Sequence, residues 1–304
     1  MKKIIIDCDP GIDDAIAIML ALHSNEIELL GITTVAGNAQ NYVCSKNALR
    51  ILELCDKKHI PVYEGASQPL KRVLKFSDTY CGMDGLGGSS LPMPTIQVQD
   101  KNAIDFIIES IEKYNTIQIV SIAPMTNLAS AIKKAPHLEW SKVSVVTMAG
   151  FYQVLGEAFT GRPRCEWNVL VDPEAFEIVI ESGVQFKALG LDVTSQLHND
   201  MVDRIIEIAE HSSRLDFLKQ AIDFNLKTGL KPYSLLVDAI PMAYVVDPTI
   251  ATFETGTICI DCEKELNQDT ITFKAHPDIV HLEVAKTFNF ERYIQLLLER
   301  VFFA

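Results

Sequence analysis

Short apolar runs alternate with helix-length amphipathic segments through the first half of this chain, and that alternation leaves little choice of fold. Ile4–Ile6 reads as a strand, Ile12–Leu22 as a helix, Ile27–Val35 as a strand and Tyr42–Leu54 as a helix. Ile60–Tyr63, Ile117–Ile122 and Val143–Met148 continue the strands, while Ala103–Ile111 and Leu128–Ile132 continue the helices. Strands separated by helices require crossover connections, and crossovers produce a mostly parallel sheet covered on both faces. The expected fold is α/β: a single domain over residues 1–304 with a Rossmann-like, mostly parallel central sheet. Towards the end the style changes. Thr257–Cys262, Thr270–Phe273 and Val280–Val284 read as a C-terminal antiparallel extension, and Phe290–Phe302 as a closing helix. Two Gly/Pro-bearing stretches, Gly65–Pro94 and Gly150–Arg164, are too long for plain connections and are expected to be functional loops.

Composition removes several classes of partner. The net charge of −13 disfavours a nucleic-acid backbone, and no basic, aromatic-interleaved stretch opposes that reading. No apolar run approaches the roughly 18 residues of a membrane span. The first apolar run stops at Asp7, too short for the core of a secretion signal, so a cytoplasmic protein is expected. Seven scattered cysteines do not form a disulfide framework. Cys259 and Cys262 lack the second pair or the histidines of a zinc site and read as ordinary strand cysteines.

The strongest chemical signal is Asp7-Cys8-Asp9-Pro10-Gly11-Ile12-Asp13-Asp14, between the first strand and the first helix. Open α/β sheets bind ligands at the carboxyl ends of their strands. Asp13 and Asp14 alone could be explained by the helix dipole, which favours acidic residues in a first turn. Asp7 and Asp9 at the strand exit have no such explanation. Two unit charges about 4 Å apart repel by roughly 4 kcal/mol at an effective dielectric near 20. Protons, solvent or a cation must relieve this, and oxygen-only ligands select a hard ion.

Around this cluster the chain resembles the nucleoside hydrolase family, the inosine–uridine preferring N-ribohydrolases. The D-x-D-P-G-x-D-D stretch after the first strand is intact. Thr34-Val35-Ala36-Gly37-Asn38, Asp84-Gly85-Leu86-Gly87-Gly88, Ala123-Pro124-Met125-Thr126-Asn127-Leu128-Ala129 and Glu166-Trp167-Asn168 follow in the family's order. Asp172-Pro173-Glu174-Ala175 and Asp238 with Pro241, Ala243 and Asp247-Pro248 complete the series. The resemblance implies Ca²⁺-dependent hydrolysis of the N-glycosidic bond of ribonucleosides to free base and ribose. Asp9 would be the general base and would also touch the metal. Asp14, Asp238 and the carbonyl of Ile122 would be the other ligands. Asp13, Asn38, Glu166 and Asn168 would bind ribose hydroxyls, with Asp7 behind them orienting Asn38 or the ligands. The resemblance also implies a homodimer or homotetramer.

The sequence departs from the family where the base should lie. Val237 and Cys81 stand where better-known members carry His, Thr160 where an Asn is frequent, and Trp167 where Phe is common. Cys81, Trp167 and Val237 are therefore candidates for the base pocket. Cys81 has no His partner nearby in sequence and reads as a pocket-lining thiol rather than a nucleophile. Tyr80, Tyr233 or His198 could replace the missing imidazoles. A noncatalytic, metal-dependent ribose or nucleoside binder is the alternative function, although a binder has no need of Asp9. A haloacid dehalogenase-type phosphatase shares the strand-Asp-x-Asp start, but Pro10-Gly11-Ile12-Asp13-Asp14 is the wrong continuation for it.

Overall fold

The computed structural model describes residues 1–76, 81–154, 165–262 and 271–303. One nine-stranded sheet runs through it in the order β3-β2-β1-β4-β5-β6-β9-β7-β8. β1 (Lys2–Cys8), β2 (Ile27–Thr34), β3 (Val62–Glu64), β4 (Ile117–Ser121), β5 (Val143–Thr147) and β6 (Gln185–Ala188) are all parallel. The apolar run Ile4-Ile5-Ile6 is fully buried because β1 is central and both of its faces are covered. On one face pack α1 (Ile12–Leu22) and α10 (Ala239–Val246); on the other pack α3 (Ala103–Lys113), α4 (Thr126–Lys134) and α6 (Pro173–Glu181). The remaining helices are α2 (Asn41–Leu54), α5 (Trp167–Val171), α7 (Leu191–Thr194), α8 (Asn199–Ile208), α9 (Ser213–Thr228) and α11 (Phe290–Leu297). Among the described residues no helix is long and apolar enough to cross a membrane.

The expected parallel sheet with an antiparallel C-terminal end is present. One detail differs. The last strand, β9 (Leu282–Phe288), pairs antiparallel with β7 (Ala251–Ile260) but parallel with β6. Its neighbour across the sheet is some hundred residues away in sequence, so local pattern could not give its direction. Among the described residues, the one antiparallel pair outside it is β7 with β8 (Ile271–Ala275). The closing helix is α-helical to Leu297 and then widens into a π-helical turn, Leu298–Phe302.

From β1 the chain steps outward to β2 and β3, then returns to place β4 on the other side of β1. The connections therefore diverge between β1 and β4. Such a switch point leaves a crevice at the strand carboxyl ends, and Asp9 follows β1 directly into it.

Candidate active site

The acidic octet folds back on itself. Asp14, in the first turn of α1, accepts hydrogen bonds from the amides of Gly11 at 2.8 Å and Asp9 at 3.3 Å. It thereby satisfies two donors at its own helix start. Asp9 Oδ2 accepts from the amide of Asn38 at 2.6 Å. A Cβ on Gly37 would sit 2.1 Å from that oxygen, so only glycine lets β2's exit approach this closely. Asn38 Nδ2 donates to Asp9 O (3.3 Å) and Asp14 Oδ2 (3.2 Å), tying the two exits together. Asp9 Oδ1 is buried without a hydrogen-bond partner among the described residues.

Asp7 does not orient Asn38. Its Oδ1 accepts from Thr33 Oγ1 at 2.6 Å and from Asn127 Nδ2 at 2.8 Å. Asn127 also donates to Thr34 O and accepts from the Ala66 amide. Asp7 thus locks the start of α4 against β2, one layer below the site. Asn127 is a residue to which the motif reading gives no role; it is fully buried in the first turn of its helix. Ile122 leaves β4 beside Asp7 and donates its amide to Asp7 O at 2.9 Å.

Asp238 arrives from far along the chain, at the start of α10. Carboxylate oxygens of Asp13, Asp14 and Asp238 lie within 4.8 Å of one another. Asp9 is not part of that triplet, so proximity groups Asp13 with the carboxylates where the resemblance implied Asp9. Burial raises every acid here. It pushes Asp7 and Asp13 to about 6 and Asp14 to about 8. Burial, and then the charge of Asp14, holds Asp9 well above the ordinary carboxylate range. Burial and the charges of Asp13, Asp14, Asp9 and Glu166 do the same to Asp238. Among the described residues, no basic side chain is hydrogen-bonded or paired to Asp9, Asp14 or Asp238. An oxygen-only donor set and two buried oxygens of the octet without a partner among the described residues, Asp9 Oδ1 and Asp7 Oδ2, fit a hard divalent cation.

Glu166 caps α5: Oε1 accepts from Asn168 N at 2.7 Å, and Oε2 from Gly150 N and Val169 N, both at 3.1 Å. Burial nevertheless raises it to about 7. Asn168 Nδ2 donates to Met148 O at 2.9 Å, which ties α5 to the end of β5. Cys81 is buried against the acidic loop, where a Cβ on Gly11 would meet its Sγ at 2.7 Å. Burial, and then the charge of Asp13, push its thiol well up, which disfavours the thiolate a nucleophile needs. Val237 is half-buried next to Asp238. Trp167 is half-buried beside Glu166, and its indole N–H is buried without a partner among the described residues. None of the seven histidines is buried; His198 is exposed, and Tyr233 is half-buried with its amide on Asn199 Oδ1. Tyr80 and Thr160 lie outside the described residues.

Residues 4–295 match the family model described as inosine-uridine preferring nucleoside hydrolase. Uridine nucleosidase 1 of Arabidopsis thaliana is 34% identical over 269 residues, 86% of this chain and 79% of that protein. The pyrimidine-specific ribonucleoside hydrolase RihA of Escherichia coli is 39% identical over 227 residues, covering 74% and 71%. An uncharacterized protein of Schizosaccharomyces pombe is 42% identical over 198 residues, 64% of this chain and 63% of that protein's length. Among solved structures, a plant nucleoside hydrolase superposes with a TM-score of 0.87 at 30% identity over 99% of both chains. The chain belongs to the inosine–uridine preferring nucleoside hydrolase family. It is a hydrolase of the N-glycosidic bond of nucleosides.

Proposed function

We propose that the protein hydrolyses pyrimidine ribonucleosides to free base and ribose, with Asp9 as general base and Ca²⁺ as the ion of the acidic site. Support for the base comes from the two oxygens of one carboxylate. Oδ2 is fixed by the Asn38 amide, which leaves Oδ1, buried and unpartnered, to take a proton from water. The pyrimidine preference rests on the names of the Arabidopsis and Escherichia coli relatives. Asp9, Asp14, Asp238 and the carbonyl of Ile122 would hold the ion. Asp13 is the candidate to join them, since its oxygens lie with those of Asp14 and Asp238. When bound, Ca²⁺ offsets the carboxylate charge and makes water a better acid.

The rest of the chemistry belongs to the chain. Cleavage of an N-glycosidic bond builds positive charge on the sugar, and a ring of carboxylates stabilises it where water is excluded. Asn38, Asp13, Glu166 and Asn168 would take ribose hydroxyls in this reading, and bonds to backbone brace Asn38, Glu166 and Asn168. In this reading Asp9 would activate water on the face of the sugar opposite the departing base, as in an inverting glycosidase's basic half. The fold is proposed to act as one domain over the whole chain.

The deciding experiment is ribose release from uridine, cytidine, inosine, adenosine and p-nitrophenyl riboside, with Ca²⁺ and with chelator. Chelator-sensitive release from uridine and cytidine is the expected result. Nucleoside binding without release from any of the five would replace the hydrolase with a binding protein.

A further inference from the structure

The Gly-rich loop that follows Cys81 is a braced unit. Gly82, Gly85, Gly87 and Gly88 all have positive φ, a conformation that side chains disfavour. Asp84 Oδ1 accepts from the amides of Leu86 (3.2 Å) and Gly88 (2.9 Å), and Gly87 N donates to Cys81 O at 2.8 Å. A loop tied to itself in this way moves as a piece, so its position depends on what holds it from outside.

That holder is one face of α2. Asn47, 1% exposed, spends both amide hydrogens on two different loops: Nδ2 donates to Asp84 O at 2.9 Å and to Pro10 O at 3.1 Å. Gly85 makes room for it, because a Cβ there would lie 2.6 Å from Asn47 Nδ2. One turn on, Arg50 donates to Asn47 Oδ1 and to the carbonyls of Ser89, Leu91 and Pro92. Another turn on, Glu53 accepts from Thr95 and Ile96. Spacing of three residues puts all three on one helix face. Beyond α2, Arg50 holds the carbonyls of residues 89–92 and Glu53 the amides of Thr95 and Ile96, whereas Asn47 is the one of the three that bonds Pro10, the residue after Asp9.

We propose that Asn47 is a positioning residue for hydrolysis, coupling the Cys81–Gly88 loop to the Asp9–Gly11 loop so that the two form one fixed wall. The proposal rests on the reading of the acidic loop as the hydrolytic site. Losing the bridge lets Pro10, and with it Asp9, shift relative to Cys81 and Asn38. A misplacement of about 1 Å at a reacting group can cost around a hundredfold in rate.

Asn47→Asp keeps the shape and removes both donors. Its kcat for uridine is expected to fall roughly 10- to 100-fold, with KM changing far less. Glu53→Gln, on the same face but bonded to Thr95, Ile96 and Lys58 rather than to Asn47, is expected to change kcat less than about threefold. Asn47→Ala serves if the aspartate variant does not fold. Wild-type kcat and KM in a folded Asn47 variant would overturn the proposal. Hydrogen exchange of the wild-type protein provides a test without any variant. The amides of Gly11, Gly85 and Gly87 should exchange at rates within about threefold of one another, as one cooperative unit. Rates for Gly11 differing from the other two by more than about thirtyfold would show two independent loops and overturn the coupling. If wild type releases no ribose from any nucleoside, the functional reading falls, while the exchange rates still decide whether Asn47 couples the loops.

Discussion

The two halves of the site are built on opposite principles. Around the sugar, acids crowd at the exits of β1 and β2 and at the start of α10, and backbone amides fix them in place. Around the proposed base position, Cys81, Val237 and Trp167 offer a buried thiol, an aliphatic group and an indole. The first half can take a proton and hold positive charge. None of these three residues of the proposed base half is an acid or an imidazole. A site of this composition is strong at stabilising the ribosyl cation and weak at activating the leaving group, and it should favour bases that leave well unaided.

The largest break in this asymmetry is Asp9→Ala, which removes the proton acceptor while leaving the other acids in place. We expect kcat for uridine to fall about 10³-fold or more, measured as ribose release. Substantially smaller losses would move the basic role to another carboxylate.

Asp238→Asn should act on stability and activity in opposite directions. Removing one of several buried like charges raises the thermal midpoint of the metal-free protein by roughly 2–4 °C and cuts ribose release about a hundredfold. It should also abolish any rise of the midpoint on adding Ca²⁺, followed by calorimetry. A midpoint that falls without metal would mean that the acids are already compensated.

The same acids make metal-free stability depend on pH. Asp7, Asp13, Glu166 and Asp14 sit at about 6, 6, 7 and 8 in the folded chain, above their ordinary values of 3.8 for Asp and 4.5 for Glu. The folded state therefore binds more protons than the unfolded state across that interval. Their contribution is complete below about pH 4 and drains away as pH rises towards 8, so stability falls over this window. Denaturant titrations at pH 5 and pH 8 should show the fall, and saturating Ca²⁺ should flatten it.

The smallest effect should come from the base half. Trp167→Phe keeps the ring and deletes the indole N–H. If that donor serves the base, KM for uridine rises about 3- to 10-fold, while kcat for p-nitrophenyl riboside stays put. Equal changes for both substrates would place Trp167 among the sugar contacts instead.

Much of this was legible in the residues. Strand and helix alternation gave the parallel sheet, and the octet Asp7–Asp14 located the site, because both are short-range patterns. Asp238 could be reached only through the family resemblance, since its approach to Asp13 and Asp14 is made by tertiary packing. The region from α5 to α10 was not resolved into elements beforehand. Several of its helices are short and Pro173, Pro232 and Pro241 punctuate it, so periodicity has little length to act on. The strand β6 there is four residues long. Asn47 gave no sign either, because a single polar residue in an amphipathic helix reads as solvent-facing until its burial is known.

The place of β9 carries a consequence for the order in which the molecule can be assembled. β7 and β8 reach the rest of the sheet only through β9, which is later in the chain than both. Until Leu282–Phe288 has docked on β6, the hairpin has no sheet to join, and the flank of β6 stays open. Completion of the sheet therefore waits until Leu282–Phe288 has emerged from the ribosome, after both strands that depend on it. During that interval the chain carries an uncapped edge, the kind of surface on which nascent proteins stick to one another.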